Sequence, residues 1–221
     1  IQADDGVTIN GNLTSDAGSI TIDGDTNNSA DGSDDVEIAS GVTIDAATSL
    51  TVAATTGGIA AVGTAHLTAG TDLVISDAMT AGGTLAMESD DLRLNAVLNA
   101  GVNDVTITDN DGDGIGLGDT AVTDGLNLSA AELQLITADA LSLISAGEIE
   151  VDNITATNSK KVATVILESA DFVRLSGSAS TFNSLNVQAD DGVIVNVNLT
   201  TDTGAISIDG DVNNAADGND D

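Results

Sequence analysis

Apolar residues along this chain recur in pairs separated by one residue, usually a polar one. They fall at Val7/Ile9, Ile20/Ile22, Val42/Ile44, Leu50/Val52, Leu73/Ile75, Leu85/Met87, Leu92/Leu94, Val105/Ile107 and Leu126/Leu128, then at Leu141/Leu143, Ile149/Val151, Val173/Leu175, Leu185/Val187 and Ile206/Ile208. Successive side chains of an extended chain point to opposite faces. A period of two, rich in β-branched residues and bounded by Gly, Asp, Asn and Ser, therefore predicts short strands with one buried face. Helical spacing is scarce. Its best candidate is Ser129 to Ala138, where Ser129 would cap the helix and Glu132 would complete a capping box. The same stretch also reads as strand, because Leu133, Leu135, Leu141 and Leu143 keep the two-residue period, and strand is the reading that agrees with its neighbours.

A longer rhythm overlies the pairs. From Ile20, comparable pairs return near Val42, Leu67, Leu85, Val105, Leu126, Ile149, Ile166, Leu185 and Ile206. The two ends are also copies of one another: Gln2 to Asp35 and Gln188 to Asp221 agree at 24 of 34 positions without a gap, at an offset of 186 residues. Residues 1–187 thus read as one module and 188–221 as the start of the next. Nine steps in that offset give about 20.7 residues each, the size of one coil of a solenoid. A single coil cannot bury its inward face, whereas coils stacked about 4.8 Å apart share a continuous core, and nine of them would rise about 43 Å. The expected fold class is all-β, a parallel β-helix (β-solenoid) with about 20 residues per coil. An array of β-sandwich modules is the alternative, since Asn10-Gly11, Asp23-Gly24 and Asp31-Gly32 could each turn an antiparallel hairpin.

Composition narrows the function. Four Lys and Arg against 36 Asp and Glu give a formal charge of −32, which repels phosphate and so argues against nucleic acid and anionic lipid as partners. The 41% of apolar residues is too high for a disordered acidic tail, yet only two Phe and no Trp or Tyr are present, so the core must be aliphatic. Pro is absent, in keeping with continuous ladders that can spare no backbone donor. The lack of Cys removes disulfides and thiolate metal sites. No apolar run approaches the roughly 20 residues of a membrane helix, so no membrane insertion is expected of this segment.

The stretches GSITIDG (Gly18 to Gly24), ASGVTIDAATSLTVAA (Ala39 to Ala54), GTAHLTAGTDLVIS (Gly63 to Ser76) and AGGTLAMESDDLRLNA (Ala81 to Ala96) resemble the coils of filamentous-haemagglutinin-type adhesins. That resemblance to a two-partner-secretion-like family of giant bacterial tandem-repeat proteins implies a right-handed parallel β-helix. It also implies an extracellular or cell-surface location and an elongated role, and it implies no catalytic residue.

The acidic turns carry the most pointed chemistry. Asp109, Asp111 and Asp113, followed by Gly114, set carboxylates at positions 1, 3 and 5 of a calcium-loop pattern, in which such oxygens converge on a hard cation. Position 12 is Thr120 instead of a bidentate Glu, with Asp119 adjacent. In the repeated segment, Asp23, Asp25, Asn27, Asp31 and Asp34 occupy positions 1, 3, 5, 9 and 12, and the second copy keeps Asp209, Asp211, Asn213, Asp217 and Asp220. Calcium is the cofactor this pattern implies, one ion per copy about 43 Å apart along a nine-coil rod. Of the acidic residues only six are Glu, and short Asp side chains in Gly-rich turns suit calcium better than general solubility. Solvated acidic loops, or a surface adapted to high salt, are the competing readings.

His66 lies between small apolar residues and has no partners for a zinc site, and Lys160-Lys161 is the only basic cluster. Asp4-Asp5, Asp34-Asp35, Asp90-Asp91 and Asp190-Asp191 could suggest the paired carboxylates of a glycosidase, but adjacent residues on a strand face opposite ways. The expected function is structural and non-enzymatic: tandem solenoid repeats building an extracellular fibre, sheath or surface layer, with further copies of the repeat as partners. The alternatives are the stalk of a surface adhesin, touching polysaccharide or a cell surface, and a polysaccharide-active β-helix enzyme.

Overall fold

The computed structural model of the chain describes residues 1–30 and 33–214. Its strands visit three faces in rotation. The first face begins with Val7–Ile9, Val36–Ile38, Ile59–Ala61 and Met79–Ala81, the second with Leu13–Ser15, Val42–Ala46, Ala65–Ala69 and Leu85–Ser89, and the third with Ile20–Asp23, Leu50–Ala53, Asp72–Ile75 and Asp91–Leu94. Every strand pair among the described residues is parallel. The protein is therefore an all-β, β-helix-like parallel solenoid with curled sheets; Asn10-Gly11 and Asp23-Gly24 do not turn antiparallel hairpins, Asp31-Gly32 lies outside the described residues, and the antiparallel pairing that a sandwich needs is absent among the described residues. All fourteen apolar pairs named from the sequence lie in strands.

Parallel register stacks like on like. On the second face Leu13, Ile44, Leu67, Met87, Ile107, Leu143, Leu167, Val187 and Ile208 form one column, each residue paired with the next. From Ile44 to Val187 the column is fully buried, so each side chain meets aliphatic neighbours above, below and across, and apolar burial supplies most of the drive to fold. The outward residues between them, Thr43, His66, Ala86, Thr106, Ser142, Ile166, Asn186 and Ser207, form a second column at the surface. Phe182 is the largest fully buried side chain.

Coil length varies more than an even division suggests. Met79 pairs with Leu98, 19 residues on, and Leu85 with Val105, 20 residues on, but Leu13 pairs with Ile44 and Val105 with Leu141, 31 and 36 residues on. The first excess is the acidic turn after Asp23. The second is an excursion in which the chain, after Ile115–Gly118, returns to the same face as Leu126–Ser129 and settles on the near side, against Asp91–Leu94. Gly118 makes the turn at φ +99°, where a Cβ would lie 2.0 Å from the Asp152 carbonyl oxygen. The Asn127 side chain holds the return loop, accepting from Val122 N at 2.8 Å and donating to the Val122 and Gly125 carbonyls.

The stretch read as strand after Ser129 divides in two. Ala130–Leu133 is a one-turn helix with the full capping box: Glu132 N donates to Ser129 Oγ, and Ser129 N donates to Glu132 Oε2. Glu132 Oε1 also accepts from Leu94 N at 3.3 Å in the previous coil. The local cap therefore wins over the two-residue period until Ile136–Ser145, where Leu141 and Leu143 return to the core as strand. A second one-turn helix, Ala156–Ser159, is capped by Thr155 in the same manner and ends at Lys160.

The two copies of the repeated segment keep the same local pairing. Gln2 bridges Asp23 and Gln188 pairs with Asp209; Thr26 N donates to Ala3 O and Val212 N to Ala189 O; Asn28 and Asn214 both sit at φ 54°. Their places on the solenoid differ. Gln2 lies against the third face and Gln188 in the second, so the 186-residue offset advances seven full turns and two faces of an eighth. That is fewer turns than the nine obtained by even division, because the two long coils absorb residues without adding a full turn, and the module rises about 37 Å at 4.8 Å per turn.

Candidate cation-binding turns

The strand end of the second face places Asp109 inward. Its column neighbours there are Ser89 before and, through the next strand, Ser145, all three buried. Ser145 Oγ donates to Asp109 Oδ2 at 2.7 Å and Gly114 N donates to the same oxygen at 3.0 Å, while Oδ1 has no partner. Burial lifts the Asp109 pKa above the usual carboxylate value, with Asp111 adding to the rise and the Ser145 and Gly114 hydrogen bonds opposing it. The companions from the sequence pattern do different work. Asp111 Oδ1 accepts from Asp113 N, shaping the turn, and Asp119 Oδ2 accepts from Asn153 Nδ2 on the return side of the excursion. Asp109 is thus a buried member of a Ser-rich stack that touches Asp111 and Gly114 of the adjoining turn.

In the first copy of the repeat, Asp23 Oδ1 accepts from Asp25 N and Asn27 Oδ1 from Ser29 N, so both side chains fold the turn on itself. Asp25 and Asp34 instead turn inward and are 1% and 6% exposed. They meet at Thr56 of the following coil, whose N and Oγ1 donate to Asp25 Oδ2 at 2.9 and 2.7 Å and whose Oγ1 also lies 2.9 Å from Asp34 Oδ2. The Thr56 hydroxyl is the first cause of a lowered Asp25 pKa, which burial opposes and the backbone N–H groups of Thr56, Asn28 and Ser29 reinforce. Thr56 is the residue the sequence pattern missed. It is unremarkable in sequence, and only the stacking of one coil on the next carries it to the acidic turn.

In the second copy Asp209 Oδ1 accepts from Asp211 N, as in the first. Asp211 Oδ1, like Oδ1 of its copy Asp25, is buried with no hydrogen-bond partner among the described residues. Asn213 lies beside it in the same turn, and Asp31, Asp217 and Asp220 fall outside the described residues. Among the described residues no three His, Cys, Asp or Glu side chains gather as a metal-holding group.

Both arginines are committed to the outer ladders, while Lys160 and Lys161 follow the one-turn helix Ala156–Ser159. Arg93 lies 3.5 Å from Asp72 and 3.6 Å from Asp91, and Arg174 lies 3.5 Å from both Glu148 and Glu150. His66 stands on the outward column with Nε2 3.6 Å from Glu88. Of the adjacent carboxylates, Asp34 faces inward and Asp35 outward, as alternation requires.

The class these observations define is an all-β parallel solenoid with acidic turns. No family model, curated protein or solved structure matches the chain. No helix among the described residues is long and apolar enough to cross a membrane.

Proposed function

We propose that the chain is a structural module of an extracellular or cell-surface protein, in which tandem right-handed β-helix coils of about 20 residues build a fibre, sheath or surface layer, with calcium in its acidic turns. The observation that carries this reading is the repeated segment. Over their described residues its two copies share their local pairing, yet Ile22 is fully buried under Leu50–Ala53 while its copy Ile208 is 46% exposed. A further coil with the character of Val36 to Ala54 would cover Ile206 and Ile208 in the same way. Partners of this kind are more copies of the repeat.

The resemblance of the coils to filamentous-haemagglutinin-type adhesins supports a related role, a spacer that carries a binding tip to polysaccharide or a host surface. Both roles need a stiff rod. Electron microscopy of chains carrying one, two and three successive modules tests the reading: rods of constant width that lengthen by about 37 Å per module are expected. Particles that grow in all dimensions would overturn it. A distinct terminal density on the native protein would favour the stalk over the fibre.

A further inference from the structure

We propose that the carboxylates of Asp25 and Asp34, brought together at the Thr56 hydroxyl, ligate one divalent cation of the calcium type that clamps the acidic turn to the following coil. The site narrows the calcium reading of the acidic turns to two named side chains and stands apart from the fibre role, which rests on the repeat.

Thr56 Oγ1 lies within hydrogen-bonding distance of both Asp25 Oδ2 (2.7 Å) and Asp34 Oδ2 (2.9 Å), but a hydroxyl has one hydrogen to donate. The other oxygen of each carboxylate, Oδ1, is buried and makes no hydrogen bond of normal geometry among the described residues, the Asn28 and Ser29 N–H groups standing only near Asp25. Beyond the Thr56 N–H, which serves Asp25 Oδ2 alone, two carboxylates nearly removed from water therefore share one donor hydroxyl and leave two acceptors open. Buried charges of one sign call for a compensating charge. Among the described residues no Lys, Arg or His forms a salt bridge with Asp25 or Asp34, and the two arginines are held by Asp72, Asp91, Glu148 and Glu150, so that charge comes from solution.

The donor chemistry selects the ion. Carboxylate oxygens are hard ligands, and calcium accepts six to eight oxygens in a flexible shell that water and backbone carbonyls can complete; magnesium demands a near-ideal octahedron and gives up its water reluctantly. The local backbone is shaped for close approach. Gly57 follows Thr56 where a Cβ would come within 2.4 Å of the Asp34 carbonyl oxygen and 2.8 Å of Asp35 Oδ1, so the following coil closes on the turn only with glycine there. Asp23 and Asn27, occupied in the turn's own hydrogen bonds, are not ligands in this assignment.

The test uses the intact 221-residue chain, 15N-labelled, titrated with calcium chloride at constant ionic strength and followed at the Thr56 amide. Saturable displacement of that resonance is expected, with at least tenfold weaker affinity in Asp25→Asn and in Asp34→Asn and unchanged affinity in Asp16→Asn, at an exposed position outside every acidic turn considered. Amide shifts of Leu85 and Val105 in mid-solenoid confirm that each variant is folded. A Thr56 resonance that follows pH but not calcium, or that saturates equally in the Asp25→Asn/Asp34→Asn double variant, would overturn the assignment. Rod formation in microscopy is read separately and bears only on the fibre role.

Discussion

Val7 and Val193 occupy the same position in two copies of one sequence, yet they stand on different faces of the solenoid. Val7 pairs with Val36 on the first face and Val193 with Val173 on the third. The segment keeps its internal pairing and moves as a unit, because its strand-turn-strand geometry is local, whereas its face is set by the summed length of all the coils between. A module that advances seven turns and two-thirds returns to the same face only after three modules, or 23 turns.

This offset sets the symmetry of any continuous array. The chain has no native Cys, so a single engineered thiol at exposed Asp16 in each of three successive modules can carry a gold label. Viewed down the rod, the labels are expected at three angular positions separated by a third of a turn. Labels aligned along one edge would mean a whole number of turns per module.

Ile22 and Ile208 offer a controlled comparison of burial. They are copies of one residue, the first fully buried and the second 46% exposed. Ile22→Ala should lower stability by about 2–5 kcal/mol, since it removes methyl groups from a packed column and leaves a cavity. Ile208→Ala should change it by no more than about 0.5 kcal/mol. Urea unfolding of the two single variants checks the difference, and equal effects would contradict the packing described.

Asp109 and Asp25 pull the pH dependence in opposite directions. Burial raises the Asp109 pKa above 3.8, so the folded state holds that proton more tightly than the unfolded chain does. Its contribution is fully present below 3.8 and is lost as pH rises through the raised folded value. Asp90 and Asp91 shift the same way, also chiefly by burial. Asp25 is lowered, first by the Thr56 hydroxyl, so its contribution is present above 3.8 and lost as pH falls through the lowered value. Asp109→Asn keeps an acceptor for Ser145 and Gly114 but does not titrate. Urea midpoints from about pH 3 to about pH 7 should show the variant gaining on the parent as pH rises through the Asp109 window. Parallel curves would place the burial cost elsewhere.

Gly118 is the hinge of the only strand placed out of chain order among the described residues. At φ +99°, with the Asp152 carbonyl 2.0 Å from a would-be Cβ, Gly118→Ala meets both backbone strain and a clash. A loss of about 1–3 kcal/mol is expected from the conformation alone. Gly11 has nothing within 4 Å of a would-be Cβ and no strained φ, and Gly11→Ala serves as the control. Thermal melts of the two variants separate the effects; similar midpoints would argue that the excursion can be rebuilt without the turn.

Much of the solenoid was legible in the linear pattern. The pair Val105/Ile107 announces a strand whatever follows, because side-chain alternation is a local property of extended chain, and the repeat at Gln2 and Gln188 announces modularity by identity alone. Composition likewise required an aliphatic core. Stacking decided the rest. The turn count depended on the lengths of the loop after Asp23 and the excursion after Gly118, which no periodicity records. The Ser129 capping box overrode a continuing two-residue period, since a satisfied helix end needs only its own four residues. Asp25 and Asp34 were visible as carboxylates in an acidic turn, but their separation from Asp23 and Asn27, and their meeting at Thr56, exist only where one coil lies on the next. Local chemistry is written along the chain; which residues of different coils face one another follows from register, and register is a sum over every loop between them.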